Sequence, residues 1–321
     1  MLSLALLAAA LAGPQAPCAL SPSDQAWVDA SAAAWNDTSE RITRIGHGQA
    51  IQAVFFDARC VVTSATAMNG GAQAWSATPH SGKIKIPNGA EIPAGVTSFA
   101  MGGEGKNFFV MSTPSVWRAA NKSDNGLGSL ETLMTHVVLH EGTHVAQIPT
   151  YGLRMEKLSK RFGLPESFND DSIQERFQSE PAFAGSIAEE TALWIAAATA
   201  ADRTVAIAKA EQALAKMRLR QKRWFTGKDD YLTHAEDIWL TMEGSAQFAG
   251  YAWLVDPKGG KVPRYVVFQS FTKGKWWSQV EGFAMFLALD RLSGDSWRAH
   301  AYGDGAKTLF EMLDEAVTPR G

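Results

Sequence analysis

Two histidines and a glutamate near residue 140 have the types and spacing of a metal-binding site. His140 and His144 are four residues apart, and Glu141 directly follows the first of them. Residues four apart on an α-helix lie on one face, about 6 Å apart along the axis, so both imidazoles can reach one ion. Glu141 then points to the side of that ion, where it can take a proton from water. The His-Glu-x-x-His pattern therefore predicts a Zn²⁺ site with Glu141 as general base.

Apolar residues surround this motif in a helix-compatible setting. They are Leu130, Leu133, Met134, Val137, Val138, Val145 and Ala146. The alternative interpretation is a polar helix face with two solvated histidines. Ionisable groups are rarely buried unless they are paired or bound to a metal, so the apolar flanks favour a buried zinc helix.

A catalytic zinc ion commonly takes three protein ligands and leaves one position for water, so another acid or histidine is needed. Glu243 is the best candidate. Gly244, Ala246 and Gly250 follow it and are small, which would let this helix approach the zinc helix closely. The carboxylate could then reach the metal at about 2.0–2.2 Å.

Two other acids are rivals for the third position. Glu190 lies on the apolar stripe of a predicted helix, where an unpaired carboxylate would be costly. Glu281 precedes a glycine, as Glu243 does. If Glu243 binds the metal, Glu190 either orients one of the histidines or is a hydrogen-bonded carboxylate of the core. His136 extends the histidine face by one turn, but three histidines would span about 12 Å, so we expect it to be structural or to orient a ligand.

The two motifs together resemble those of the gluzincin metallopeptidases. The stretch His140-Glu141-Gly142-Thr143-His144 is followed later by Glu243-Gly244-Ser245-Ala246-Gln247-Phe248, which is similar to the Glu-Gly-x-Ala-x-aromatic helix of bacterial collagenase-type enzymes. The resemblance covers only these two motifs. It implies His140, His144 and Glu243 as zinc ligands and Glu141 as the general base, and it leaves Tyr251 and Tyr265 as candidates to stabilise an oxyanion. The connection between the motifs is longer than in the best-known members, which predicts an inserted helical segment.

Short β-type runs precede the zinc helix, and further helices follow it. The predicted strands are 53–56, 60–63, 83–89, 96–100 and 107–112, after a first helix over about 23–44 that Ser23 caps. The predicted helices after the motif are 181–200, 204–225, 231–253, 276–292 and 307–317. This order predicts one α+β, zincin-like domain over 13–321. Its part 13–127 would hold a mainly antiparallel sheet, and its helical part 128–321 would carry the zinc motif.

Two of these elements could bind a partner. Strand 107–112 is a candidate edge strand beside the zinc helix, where an extended peptide could pair with its main chain; an inner strand is the alternative. Helix 204–225 carries six basic residues, which we interpret as a solvated face rather than a membrane or polyanion site. They are Lys209, Lys216, Arg218, Arg220, Lys222 and Arg223.

The composition favours a folded chain, and the N-terminal residues favour export. The 321 residues are 46% hydrophobic and carry a formal net charge of −3, which predicts no general attraction to nucleic acid or to anionic membranes. Residues 2–12 form an apolar run that is too short to span a bilayer and ends in a small-x-small pattern, so we expect a signal peptide over 1–12 and no stable membrane insertion. Cys18 and Cys60, the only cysteines, could form a disulfide or remain two thiols.

These features predict a secreted or periplasmic zinc peptidase whose substrate is a peptide or protein. A catalytically silent zinc-binding protein of the envelope and a zinc hydrolase of a non-peptide amide are the alternatives. The intact Glu141 favours turnover, because a site kept only for binding has no need of a general base.

Overall fold

The computed structural model describes residues 18–45, 51–64, 74–103 and 106–318; the predicted signal peptide over 1–12 lies outside them. The strands of this described part are β1 (Gln52–Phe56), β2 (Cys60–Ser64), β3 (Trp75–Pro79), β4 (Lys83–Lys85), β5 (Glu91–Pro93), β6 (Ser98–Gly103) and β7 (Lys106–Ser112). Its α-helices are α1 (Pro22–Asp37), α2 (Pro114–Ala119), α3 (Leu130–Gln147), α4 (Leu153–Phe162), α5 (Ser172–Phe177), α6 (Pro181–Ala198), α7 (Arg203–Trp224), α8 (Leu232–Val255), α9 (Arg264–Phe271), α10 (Trp277–Ser293) and α11 (Leu309–Val317).

The main sheet is mixed and has the strand order β3-β2-β1-β7-β6. Strands β1 and β7 are parallel, and the other three pairings are antiparallel. The α+β class and the order of strands before helices are therefore confirmed. Strand 107–112 is the inner strand that the sequence leaves open as the alternative to an edge strand, because β1 and β6 pair with the two sides of β7. The edge strand at this end of the sheet is β6.

Strand β1 is buried on both faces, and its side chains alternate between two cores. Phe55 packs with Trp27 of α1 and with residues of α3, whereas Val54 and Phe56 pack with Ile84 of the small β4–β5 sheet. Helices α1 and α3 therefore cover one face of the main sheet. The motif glycine Gly142 permits this arrangement: a Cβ atom on it would lie 2.7 Å from the Trp35 ring of α1.

The N-terminal cap of α1 differs from the prediction. Ser21, not Ser23, caps the helix by accepting a hydrogen bond from the Asp24 amide at 3.1 Å. Pro22 then occupies the first turn, where a missing N–H costs nothing. The α-helical geometry ends at Asp37, and a π-helical turn over Thr38–Ile42 completes the predicted segment.

The five helices predicted after the motif are α6, α7, α8, α10 and α11, with ends shifted by no more than two residues. They form a second core. Two glycines fix how α8 packs within it. A Cβ atom on Gly244 would lie 2.5 Å from the carbonyl of Gly282 in α10, and one on Gly250 would lie 1.9 Å from the His136 ring of α3. Gly250 therefore allows the predicted close approach to the zinc helix, whereas Gly244 allows contact with α10 instead.

Cys18 and Cys60 form a disulfide, with their Cα atoms 5.8 Å apart. This decides between the two alternatives that the sequence leaves open, and it joins the segment before α1 to β2. Among the residues that the structure describes, no helix is long and apolar enough to cross a membrane.

Candidate metal centre

Helix α3 brings the two motif histidines together in a buried position. Ser129 caps the helix by accepting a hydrogen bond from the Thr132 amide at 3.0 Å. His140 and His144 follow on one face, and their Nε2 atoms are 2.9 Å apart. Both side chains are about nine-tenths buried.

Helix α8 supplies the third group. Oε1 of Glu243 lies 3.0 Å from Nε2 of His144, and its Oε2 lies 3.4 Å from Nε2 of His140. The three donor atoms all lie within 4.8 Å of one another. The structure thus brings together His140, His144 and Glu243, the three residues that the sequence predicts as ligands.

The donor set fits a metal ion. Each imidazole turns its Nε2 towards the other two groups, and neither Nδ1 has a hydrogen-bond partner among the described residues. Two Nε2 atoms at 2.9 Å can share only one hydrogen, so a cation between them would satisfy both lone pairs. Two nitrogens and one carboxylate oxygen are the donor set of one class of catalytic zinc sites, with a further position left for water.

The pKa shifts of His144 and Glu243 also support binding of a cation by this group. Burial lowers the pKa of His144, but the adjacent Glu243 carboxylate outweighs burial and raises it above the usual range. Burial would raise the pKa of Glu243, but the two histidines hold it well below its usual range. Each group thus favours the charged form of the other, so a bound metal would compete with a proton at this site.

Glu141 lies with these three residues in a large open cleft, and β6 forms part of the cleft lining. Burial raises the pKa of the Glu141 carboxyl, while the two neighbouring imidazoles and the Ser98 side chain oppose the shift. Ser98 is the first residue of β6. The other cleft residues are mostly apolar and include Phe99, Met101, Ile148, Leu153, Met155 and Met242. Glu141 is therefore beside the candidate metal position, as its place in the motif predicts.

Two residues that the sequence does not single out also contact or face the centre. The Gln279 amide of α10 donates a hydrogen bond to Oε2 of Glu243 at 3.3 Å, which helps to orient that carboxylate. Asp170 lines the cleft from the segment between α4 and α5. Burial and the nearby Glu243 carboxylate raise the pKa of Asp170 to about 7. Neither residue lies in a motif, so only the tertiary fold could reveal them.

The rival acids lie outside the metal group. Glu190 of α6 is fully buried and accepts hydrogen bonds from Arg220 and Ser186, so it is the core carboxylate that the sequence allows as an alternative. Glu281 lies close to Glu190 and is also buried. Arg220 is correspondingly not part of a solvated basic face, because its side chain is completely buried.

His136 and the two candidate tyrosines also lie outside the group of donor atoms. His136 packs against Phe271 and His140, with ring centroids 4.8 and 6.2 Å away. Burial and the neighbouring His140 lower the pKa of His136 to about 3, which favours its neutral form. Tyr251 packs in the core, and Tyr265 is two-thirds exposed. Neither tyrosine is among the described residues that line the cleft.

No family model, curated protein or solved structure matches the chain. The resemblance to the gluzincins therefore rests on the two sequence motifs alone.

Proposed function

We propose that this chain is a secreted or periplasmic zinc-dependent peptidase with a zincin-like domain. The observation that carries the proposal is the convergence of His140, His144 and Glu243 at one point, with Glu141 beside it in an open cleft. A purely structural zinc site is normally closed by four protein ligands, whereas three ligands in a cleft leave room for water and substrate.

The edge strand β6 supports a peptide as substrate. Residues 98–102 of β6 line the cleft, and among the strands that the structure describes β7 alone pairs with β6, on one side of it. The other side can pair with an extended peptide, which gives affinity through main-chain hydrogen bonds. We therefore propose that strand 98–103, and not 107–112, binds a peptide by main-chain pairing.

Five side chains would take part in the chemistry. His140, His144 and Glu243 would hold the metal, with Gln279 orienting the Glu243 carboxylate. A bound Zn²⁺ supplies a Lewis acid and lowers the pKa of water to about 7. Glu141 would accept a proton from the attacking water and later donate it to the leaving amine. Its raised pKa suits this exchange, because a base that is too acidic would not take the proton at neutral pH.

The disulfide supports the location outside the cytoplasm. Disulfides form and persist in oxidising compartments, and Cys18–Cys60 joins two segments far apart in the sequence. The predicted signal peptide points to the same compartments.

A comparison of Glu141→Gln with a control on the same helix tests the function. Glu131 also lies on α3, but its side chain is only partly buried and pairs with Arg118, nine positions before His140. In the zinc-loaded proteins we expect Glu131→Gln to cleave a mixed peptide library like the wild type. Glu141→Gln should keep one zinc ion and lose at least about 10²-fold in rate.

The same assay separates the alternatives. Zinc bound without cleavage by the wild type would favour a silent binding protein. Cleavage of small amides but not peptides would favour a non-peptide hydrolase. Full peptidase activity in Glu141→Gln would refute the assignment of the base.

A further inference from the structure

Two helices build the candidate metal centre, α3 with both histidines and α8 with Glu243. A shift or rotation of one helix against the other would therefore move the carboxylate away from the imidazoles. Gly250 permits close contact between α8 and His136, before the two motif histidines in α3. Beyond His144, the last residue of α3 makes a second contact with α8. This residue is Gln147.

The side chain of Gln147 joins α3 to two other elements. Its amide nitrogen donates one hydrogen bond to Oγ of Ser245 in α8, at 2.8 Å, and another to the carbonyl oxygen of Ala301, at 2.9 Å. Ala301 belongs to a π-helical turn, Ala299–Asp304, between α10 and α11. Because a carbonyl oxygen can only accept, the amide must turn its nitrogen towards these partners. The two bonds thus fix the orientation of Gln147.

The partners of Gln147 also hold the backbone of α8 near Glu243. Oγ of Ser245 donates to the carbonyl oxygen of Met242 at 3.0 Å, and the Tyr302 hydroxyl donates to the carbonyl oxygen of Ser245 at 2.8 Å. Met242 precedes Glu243 in the sequence, and Ser245 follows it. The hydrogen bonds therefore hold the turn of α8 that carries the carboxylate.

This network is shielded from water. Gln147, Ser245 and Tyr302 are each no more than 3% exposed. Water cannot readily replace a hydrogen bond in such a position, so breaking one leaves a buried polar group unpaired. Displacement of α8 from the end of α3 is therefore unfavourable.

We propose that Gln147 is a positioning residue of the metal centre, and that its bond to Ser245 sets α8 where Glu243 can reach the ion. The inference rests on the zinc site of the proposed function. Gln147 does not belong to the group of donor atoms and acts through Ser245. Its loss should therefore change the affinity and the ligand geometry of the metal, whereas loss of a residue that only stabilises the fold should change neither.

The zinc affinity of purified variants tests the proposal. Gln147→Met keeps the length of the side chain and removes its hydrogen bonds. We expect its dissociation constant for Zn²⁺, measured by competition with a chromophoric chelator, to rise about 10- to 100-fold, as on loss of other groups that orient metal ligands. The visible spectrum of the Co²⁺-substituted protein depends on ligand geometry, and we expect it to change as well.

Thr135→Val is the matched control. Thr135 is also a buried residue of α3, and its hydroxyl forms hydrogen bonds with Trp27 at 3.1 Å and Ser31 at 3.2 Å, both in α1. The control thus removes buried hydrogen bonds of the same helix that do not lead to α8. We expect Thr135→Val to lose stability in urea titrations of the zinc-free protein, with the zinc affinity and the Co²⁺ spectrum of the wild type.

Ser245→Ala provides a second variant in case Gln147→Met does not fold. It removes the hydroxyl that Gln147 contacts and adds no bulk. We expect its dissociation constant for Zn²⁺ to rise about 10-fold, at the lower end of the same range.

Failure of this inference and failure of the peptidase function give different results. Folded Gln147→Met or Ser245→Ala protein with the zinc affinity and Co²⁺ spectrum of the wild type would overturn the inference and leave the peptidase intact. An equal loss of zinc affinity in Thr135→Val would also overturn it, because the effect would then come from the stability of the fold. The expected differences in a protein that binds zinc but cleaves no peptide would support the positioning role and overturn the peptidase. A wild type that binds no zinc would overturn both.

Discussion

Replacing Arg220 by methionine should destabilise the protein severely, although the sequence of its helix predicts a basic, solvated face. Its side chain is completely buried and makes five hydrogen bonds to the carboxylates of Glu190 and Glu236. Removing one partner of a buried ion pair leaves charge without compensation, which costs about 3–5 kcal/mol. We expect the free energy of unfolding to fall by this amount.

Arg218 offers a matched control two residues away on α7. It pairs with Asp314, but the side chains are 52% and 47% exposed. Exposed pairs of this kind contribute about 0–1 kcal/mol, so Arg218→Met should be nearly neutral. Urea titrations followed by circular dichroism would measure both variants at the same pH and ionic strength.

A third variant tests the physical reason for the loss. Removing the carboxylates as well, by Glu190→Gln and Glu236→Gln in the Arg220→Met background, should restore most of the stability, because no buried charge is then left unpaired. Equal, small effects of Arg220→Met and Arg218→Met would refute the reasoning. So would a triple variant that is no more stable than Arg220→Met alone.

Three further predictions concern other parts of the fold. Gly244→Ala should lower the free energy of unfolding by several kcal/mol, because its Cβ would lie 2.5 Å from the Gly282 carbonyl. In Gly185→Ala of α6 the new Cβ meets open space, so this variant should be more stable by up to about 1 kcal/mol. Thermal melts of both variants would check this. Cys18→Ser with Cys60→Ser should cost about 2–4 kcal/mol in urea titrations, since the bond closes a loop across 42 positions. Burial raises the pKa of Glu281, so the wild type should lose stability as the pH rises from the ordinary value of 4.5 towards that raised pKa. Glu281→Gln should remove this part of the loss, and identical pH profiles of the two proteins above that ordinary value would contradict it.

The convergence of His140, His144 and Glu243 could be predicted from the sequence because the signals for it are local. The spacing of the two histidines places them on one face of a helix, and Glu243 lies in a stretch whose small residues indicate close helix packing. The prediction that these small residues of α8 face the helix that carries the histidines is only partly right. Gly250 faces the zinc helix, but Gly244 faces α10, because a helix with small residues on several sides can approach more than one neighbour.

The edge of the sheet could not be predicted from the strand sequences. Residues 107–112 have the expected β pattern, but the parallel pairing of β1 with β7 depends on how the intervening strands return. That connection places β6 at the edge beside the cleft. Strands β3 and β5 and the short helices α2 and α5 have weak patterns, and the sequence does not predict them. Helix α4 is not predicted either, although it is amphipathic and ends at Gly163, which is a common helix-end signal.

The polar groups around the centre depend on tertiary contacts in the same way. Arg220 has the spacing of a surface residue among other basic residues, and only the positions of α6 and α8 show that two glutamates surround it. Glu190 and Glu281 look alike as candidate ligands until the fold separates them from the histidines. Asp170 lies in a loop between two helices, so no helical or strand pattern in the sequence predicts its position beside the cleft.

The metal content of the purified protein tests the central claim most directly. We predict one zinc ion per chain, with an X-ray absorption spectrum of nitrogen and oxygen neighbours at about 2.0–2.2 Å, and loss of that ion in Glu243→Ala but not in the control Glu131→Gln. A wild-type protein that binds no stoichiometric metal, or a Glu243→Ala variant that keeps the zinc ion with the same spectrum, would contradict the account.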